Sequence, residues 1–428
     1  MKGVLLKRTA PVLAALAVLL AAACSGDGAD ETPPTPIPTA TTAPASPTPD
    51  PLGEPEADGD RIIEHVRELS EEPRVAGTDG EIRARDYIQS TLESYGYDVE
   101  IQPFAFDSTR YLPARIELDG VSYAALSLRG APPGDVTGRV VQAGLGRPAD
   151  FPPMGAQGAV AFVDRGEITF AEKVANAAAA GASAIIIVNN EDGRLVADAP
   201  GATIPAIGVT TEDGDAMRAQ LTANSQATVE SQPPTGTAYN VIARPPGIDV
   251  CTTVTGGHAD SVPVSPGADD NASGSAGVLE VARLAMANKL AGANCFVLFG
   301  AEEIGLYGSL HYVEQLSDEE LNALTAMLNL DVIGTPVDLV LIGSDDMVEV
   351  ARVEADALGI EATRGNVPSG LGSDHASFEE AGVPVVFFYR HDDMIHTRFD
   401  AIDRIDAETL EDTVTLAYAT LERIAGAG

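Results

Sequence analysis

Basic side chains are scarce in this chain of 428 residues: Lys and Arg total 26 against 64 Asp and Glu, for a formal net charge of −38. A polyanion of that size repels phosphate backbones and anionic headgroups, which excludes nucleic acid as a partner and disfavours electrostatic membrane binding. It attracts cations instead, including peptides with a free amino terminus. Cysteine is confined to Cys24, Cys251 and Cys295, and histidine to six positions. Chemistry that needs imidazole must therefore be concentrated in a few places. The hydrophobic share of 45% is still enough to fill the cores of two domains and leave a tail.

The N-terminal apolar run is too short to span a bilayer comfortably. In "MKGVLLKRTAPVLAALAVLLAAAC" the basic residues Lys2, Lys7 and Arg8 precede the apolar stretch, and small residues close it. That is the layout of a secretory signal, expected over residues 1–23. Cys24 directly after three alanines resembles a bacterial lipoprotein cleavage box, with Ala21 where Leu is usual. Lipidation of Cys24 is the expectation, and an ordinary signal peptide is the alternative. Residues 24–59 then form a linker, with nine prolines between Ala29 and Asp58, which cannot bury a core and reads as an extended tether. The protein would be extracytoplasmic, held to the cell envelope by its lipid alone. In that oxidising compartment Cys251 and Cys295 are either a disulfide or two buried thiols.

Two amphipathic helices follow, with Ile62, Ile63, Val66 and Leu69 on one face and Tyr87, Ile88, Leu92 and Tyr95 on the other. Residues 113–235 change character to short strands, Gly, Pro and one Ala-rich helix, and contain no histidine. From "AYNVIARPPG" onward strands such as "VCTTVTG", "CFVLFG", "AMLNL" and "VPVVFFY" alternate with helices. This is an α/β pattern, with a mostly parallel central sheet flanked by helices, and ligands in such sheets bind beyond the carboxyl ends of the strands.

Four strand ends carry the candidates. "GGHAD" supplies His258 and Asp260, and the loop "GADDNASG" supplies Asp269, Asp270 and Asn271. "LFGAEEIGLYGS" places Glu302 and Glu303 at its edge, "MLNLDVIG" presents Asp331, and "VPVVFFYRHDDMIHTRFD" runs into His391, His396 and Asp400. One loop with a histidine and an acid is ordinary surface polarity, but four such strand ends in succession are not. Imidazole and carboxylate without thiolate suit zinc. The ligands outnumber what one tetrahedral ion needs, so two Zn²⁺ sharing a carboxylate are expected.

The motifs "GGHADSVPVSPGADDNASG", "GAEEIGLYGS", "NLDVIG", "GSDHASFEEAGVPVVF" and "IHTRFD" resemble, in order, the two-zinc aminopeptidases related to bacterial leucyl aminopeptidase and aminopeptidase Y, a family that also includes glutamate carboxypeptidase. The succession "VDRG…TFAEKVANAAAAGASAIIIVNN…IPAIGVT" resembles the protease-associated domain. These resemblances imply a zinc exopeptidase fold over residues 60–112 and 236–428, interrupted by a small β-rich α/β insert at 113–235. They imply that His258 and Asp331 bind one zinc, that Glu303 and His396 bind the other, and that Asp270 bridges them across a cis Asp270–Asn271 peptide. Asp269 would then be a neighbour and not a ligand, and Glu302 the general base. Asp260 would orient the His258 imidazole, with Asp374 and His375 beside substrate or supporting the ligands. His65, His311 and His391 read as surface or packing residues.

The implied activity is aminopeptidase cleavage of peptides with a free N terminus. A carboxypeptidase or glutaminyl cyclase on the same scaffold is the alternative, and a non-catalytic binding protein is disfavoured by the complete ligand set. A carboxypeptidase would want an arginine cluster, for which Arg364, Arg390 and Arg398 are the nearby candidates. Where some relatives carry Tyr before the last histidine this chain has Ile395, so His375 or Tyr389 is left to stabilise the oxyanion alongside zinc.

Overall fold

Strand and helix sort into two separate sheets. A computed structural model describes residues 51–426 except 108–112, 192, 196, 232–234, 264, 291 and 367–371, so the signal segment, Cys24 and most of the linker lie outside the described residues. The chain enters through α1 (Gly59–Leu69), α2 (Asp79–Tyr95) and β1 (Asp98–Asp107). It then forms β2 (Pro113–Leu118), β3 (Val121–Ser127), β4 (Gly134–Gln142), β5 (Val160–Asp164), α3 (Phe170–Ala179), β6 (Ala184–Val188), β7 (Ala206–Val209), α4 (Thr211–Gln220) and β8 (Gln226–Ser231). The seven strands β2 to β8 close into a barrel in the order β2-β3-β7-β6-β5-β4-β8. Its interior is aliphatic, with Ile116, Val160, Ile186, Ile207 and Val229 among the residues removed from solvent.

The second sheet takes β9 (Thr235–Arg244), β10 (Thr253–His258), β11 (Asn294–Phe299), β12 (Ala326–Leu330), β13 (Leu339–Gly343), β14 (Ala362–Arg364) and β15 (Val385–Arg390). With β1 it has the order β1-β9-β11-β10-β12-β15-β13-β14. The four central strands, β11-β10-β12-β15, are mutually parallel, while β1, β9 and β13 join antiparallel toward the edges. The sheet is thus mixed, with the parallel portion where the site lies.

Helix α5 (Gly274–Ala287) fills the space against the sheet and is apolar nearly all round, as a buried helix must be. Ile62, Val66 and Leu69 of α1 and Ile88 and Leu92 of α2 are fully buried in the same core, so both faces read from periodicity are the packed ones. Helix α9 (His375–Glu380) precedes β15, and α10 (Ala407–Gly426) packs on α5, α1 and α8 (Asp345–Leu358).

Cys251 and Cys295 are joined as a disulfide at the entries of the neighbouring strands β10 and β11. One expectation is corrected: the end of the linker does not stand free. The fully buried Arg283 donates to the carbonyls of Leu52, Glu54 and Glu56, and Asn288 donates to that of Pro55. A guanidinium with so many donors can satisfy several backbone carbonyls of an irregular segment at once, which composition alone does not reveal.

Candidate metal centre

Strand β10 is made for close approach at its carboxyl end. A Cβ on Gly257 would stand 2.3 Å from the Leu330 carbonyl oxygen, so only glycine lets β12 and the turn after residue 267 come this near. His258, the last residue of β10, is 1% exposed, and its Nδ1 faces the Asp260 backbone carbonyl at 3.1 Å. Its Nε2 lies 3.2 Å from Asp270 Oδ1 and 3.3 Å from Asp331 Oδ1. His396 Nε2 lies 2.9 Å from Asp270 Oδ2 and 2.8 Å from Glu303 Oε2. The two oxygens of Asp270 therefore face two different imidazoles.

The turn that delivers Asp270 runs from Ala268 to Ser273, and its Asp270–Asn271 peptide is cis. Asp400 holds this turn, accepting the N–H of Asp269 at 2.6 Å and of Asp270 at 3.1 Å. Asn271 ties it to β12, donating to the Leu330 carbonyl at 3.0 Å and accepting the Val332 N–H. Asp269 points away from the centre, where its carboxylate accepts the Gly334 N–H and the Thr335 hydroxyl. Its carboxylate is thus taken up by the 334–335 backbone and hydroxyl and not by the two imidazoles. Ala301, Val332 and His396 have φ of 57°, 56° and 62°. These left-handed non-glycine residues sit at or next to Glu302, Asp331 and His396, where such strain tends to gather.

Asp260 differs in part from its expected place. Its carboxylate is 3.6 Å from His258 Nδ1, while it accepts the backbone N–H of Glu302 at 3.0 Å and of Glu303 at 3.3 Å. The imidazole is met more closely by the Asp260 carbonyl, and the carboxylate holds the loop of the two glutamates. The Glu302 carboxylate places Oε2 3.9 Å from His258 Nε2.

Burial works against the charged form of His258, yet Asp331 and Glu302 outweigh it and raise its pKa well above the ordinary value. Burial likewise opposes His396, but Glu303 and Asp270 carry it up to about 9. Burial pushes Glu302 well above the usual carboxylate range, partly opposed by His258. Asp270 is held far below that range, because the two imidazoles overcome the effect of its burial. Asp374 and His375, at the start of α9, are both buried. Burial raises Asp374 to about 7 and lowers His375 to about 4. His375 stacks on Phe387, with ring centroids 4.7 Å apart.

The residues fit a bound metal. Glu303 Oε1 and Asp331 Oδ1 are buried without a hydrogen bond, a state that costs free energy unless a cation is the intended partner. Two groupings bring donor atoms within 4.8 Å of one another: His258, Asp270 and Glu303, and His258, Glu302 and Asp331. The donors are imidazole nitrogen and carboxylate oxygen, a set suited to zinc.

The other histidines lie elsewhere. His65 sits between Tyr87 and Tyr95, His311 stacks on Phe104, and His391 pairs with Asp393 at the surface. Arg364, Arg390 and Arg398 are engaged with Asp345, with Thr413 and the Val337 carbonyl, and with Asp213, so they do not form a cluster. Ile395 is buried, and the Tyr389 hydroxyl meets His391 Nδ1 at 3.0 Å.

Two residues with a part in the site escaped sequence reasoning. Arg74 is fully buried and donates to the carbonyls of Leu69, Ala259, Pro266 and Gly267, bracing the segment between His258 and the turn of Asp270. Arg194, from the insert, places Nη1 2.9 Å from His396 Nδ1. The rarity of basic residues was the one signal pointing to either.

Comparison with known proteins agrees with this geometry. Residues 240–421 match peptidase family M28 and residues 136–217 match the PA domain. Aminopeptidase YwaD of Bacillus subtilis is 35% identical over 387 residues, 83% of this chain and 82% of that one. The probable lipoprotein aminopeptidase LpqL of Mycobacterium tuberculosis is 34% identical over 298 residues, 64% of this chain and 57% of that one. The structure of a zinc aminopeptidase from Bacillus subtilis superposes with a TM-score of 0.65 at 31% identity, covering 86% of this chain and 95% of that one. By its matched residues and by its likeness to YwaD over most of both chains, the chain belongs to peptidase family M28 and carries a PA domain.

Proposed function

We propose that this peptidase is a zinc-dependent aminopeptidase that releases N-terminal residues from peptides at a two-metal centre. The observation that carries the proposal is the disposition of Asp270, with one oxygen toward His258 and the other toward His396. His258 and Asp331 would hold one zinc, Glu303 and His396 the second, and Asp270 would bridge. Bound zinc supplies a Lewis acid for the scissile carbonyl and lowers the pKa of an attacking water.

The chain's own residues do the rest. Glu302 takes the proton from the water and hands it to the leaving amine, a role suited to a carboxylate whose pKa burial has raised. Asp260 fixes Glu302 and Glu303 through their backbone. The acidic surroundings hold the substrate's ammonium group, and Tyr389 and His375 are the side chains available to the oxyanion. Export and lipid attachment at Cys24 complete the proposal, supported by the signal-like N terminus and by the lipoprotein description of the mycobacterial relative.

Aminoacyl p-nitroanilides, N-acetylated peptides with a free C terminus and N-terminal glutaminyl peptides separate the aminopeptidase from its rivals. Turnover of the first alone, abolished by a chelator and restored by zinc, is expected. Cleavage of only the acetylated peptides would point to a carboxypeptidase and overturn the proposal. Metal analysis should give two zinc ions per chain.

A further inference from the structure

Arg194 belongs to the insert, between β6 and β7, yet its guanidinium reaches a residue of the metal centre, with Nη1 2.9 Å from His396 Nδ1. Asn189 donates to the Gly193 carbonyl at 3.1 Å, and Leu195 is buried against Gly208. A Cβ on Gly193 would stand 2.5 Å from the Asp393 carbonyl oxygen, so the insert touches the 391–400 loop directly. On the far side of His396, Arg398 pairs with the buried carboxylate of Asp213 in α4. The insert therefore grips the His396 loop at two points.

Proton accounting makes the Arg194 contact informative. An imidazole that gives Nε2 to zinc keeps its proton on Nδ1, and that N–H is a donor. A guanidinium carries donors only. Two donors cannot share a hydrogen bond, so in the metal-loaded enzyme Arg194 must turn to an acceptor. The nearby carboxylates of Asp270 and Glu303 would be committed to metal binding, whereas a bound peptide brings acceptors of its own. In a chain with 26 basic against 64 acidic residues, a guanidinium facing this centre is an exception, and its charge also acts on Tyr389. Arg74, also near the centre, is spent on backbone carbonyls. The planar fork of a guanidinium matches a carboxylate with two parallel hydrogen bonds.

We propose that Arg194 is a substrate-positioning residue that binds the free C-terminal carboxylate of short peptides, so that the insert directs the enzyme toward di- and tripeptides. This rests on the aminopeptidase proposal above and adds the substrate class.

The test measures binding instead of turnover. Full-length Glu302→Gln protein, loaded with zinc, is titrated calorimetrically with Leu-Gly-Gly and with its C-terminal amide, with and without Arg194→Gln or Arg194→Lys. Arg194→Gln should weaken the free acid about 10–100-fold, as expected for losing a hydrogen bond to a charged group, and the amide less than about 2-fold. Arg194→Lys should recover part of the difference, and zinc content should not change. Equal weakening of both ligands, no weakening of either, or loss of zinc from Arg194→Gln would each overturn the proposal. Failure of the aminopeptidase proposal is read separately, from the wild-type protein with leucine p-nitroanilide.

Discussion

The carboxylate of Asp260 lies against the backbone of Glu302, accepting its N–H at 3.0 Å while its second oxygen accepts that of Glu303 at 3.3 Å. One acid thus sets the position of both the proposed base and a proposed ligand. Asp260→Asn would turn an NH₂ group toward one of those buried N–H donors. The expected result is a 10–100-fold loss of zinc affinity, roughly what supporting residues of metal ligands contribute, together with reduced turnover at saturating zinc. A chelator titration monitored by activity measures both, and an unchanged curve would remove Asp260 from the site's support.

Glu302 and Glu303 are neighbours with different proposed duties. Glu302→Gln should keep its metals and melting temperature while turnover falls by a factor of about 10²–10⁴, the range for loss of a general base. Glu303→Gln should bind the second zinc weakly and regain part of its activity in excess zinc. Metal analysis beside kinetics decides, since the opposite pattern would exchange the two assignments.

Arg74 is expected to matter for stability more than any other surrounding residue. Burial lowers its pKa to about 10, opposed by Asp400 and Asp260, so it remains charged at neutral pH. Arg74→Met would leave the carbonyls of Leu69, Ala259, Pro266 and Gly267 without their donors. A loss of about 3–5 kcal/mol is expected, typical of breaking a buried charged network. Urea unfolding measures it, and Arg74→Lys should recover little, because one ammonium cannot reach all four acceptors. A midpoint unchanged in Arg74→Met would contradict this.

His65 gives a pH dependence distant from the metals. Burial first, then the positive charges of Arg61 and Arg283, lower its pKa to about 4 from 6.5, so the folded state holds it neutral. Between these values the unfolded chain binds the extra proton and the folded chain does not, so stability rises with pH. The contribution is complete above about pH 6.5 and is lost as pH falls toward 4, about 3 kcal/mol in all. His65→Gln should flatten the stability curve in that window relative to wild type. Parallel curves for the two proteins would show that His65 does not carry the effect.

The candidate site was legible because rare residue types stood at the ends of apolar strands, where an α/β sheet presents its site. Strand identity and residue order narrowed the search to these acids and imidazoles, and the resemblance to the two-zinc aminopeptidases singled out His258, Asp270, Glu303, Asp331 and His396 as the expected ligands. The Asp260 carboxylate was harder to place, since its nearest donors are backbone N–H groups more than forty residues away, brought close by the pairing of β10 with β11. Arg74 and Arg194 gave no periodic signal, because each acts from an irregular segment whose path depends on tertiary packing. The closed barrel of the insert was hidden for a similar reason. Short strands announce themselves by composition, but closure depends on registers such as that of β8 with both β2 and β4.

The docking of Leu52 to Glu56 on Arg283 bears on how the protein can be handled. Helix α5 begins at Gly274, beside the turn of Asp270, and is followed by Asn288, which holds the Pro55 carbonyl. At 1.5 Å per residue its 14 residues separate those two ends by about 20 Å. A version trimmed to start near residue 51 and coupled to a bead through its first residue would be attached at the end of α5 remote from the turn of Asp270. Arg283 would take up the pull on that coupling point through the carbonyls of Leu52, Glu54 and Glu56.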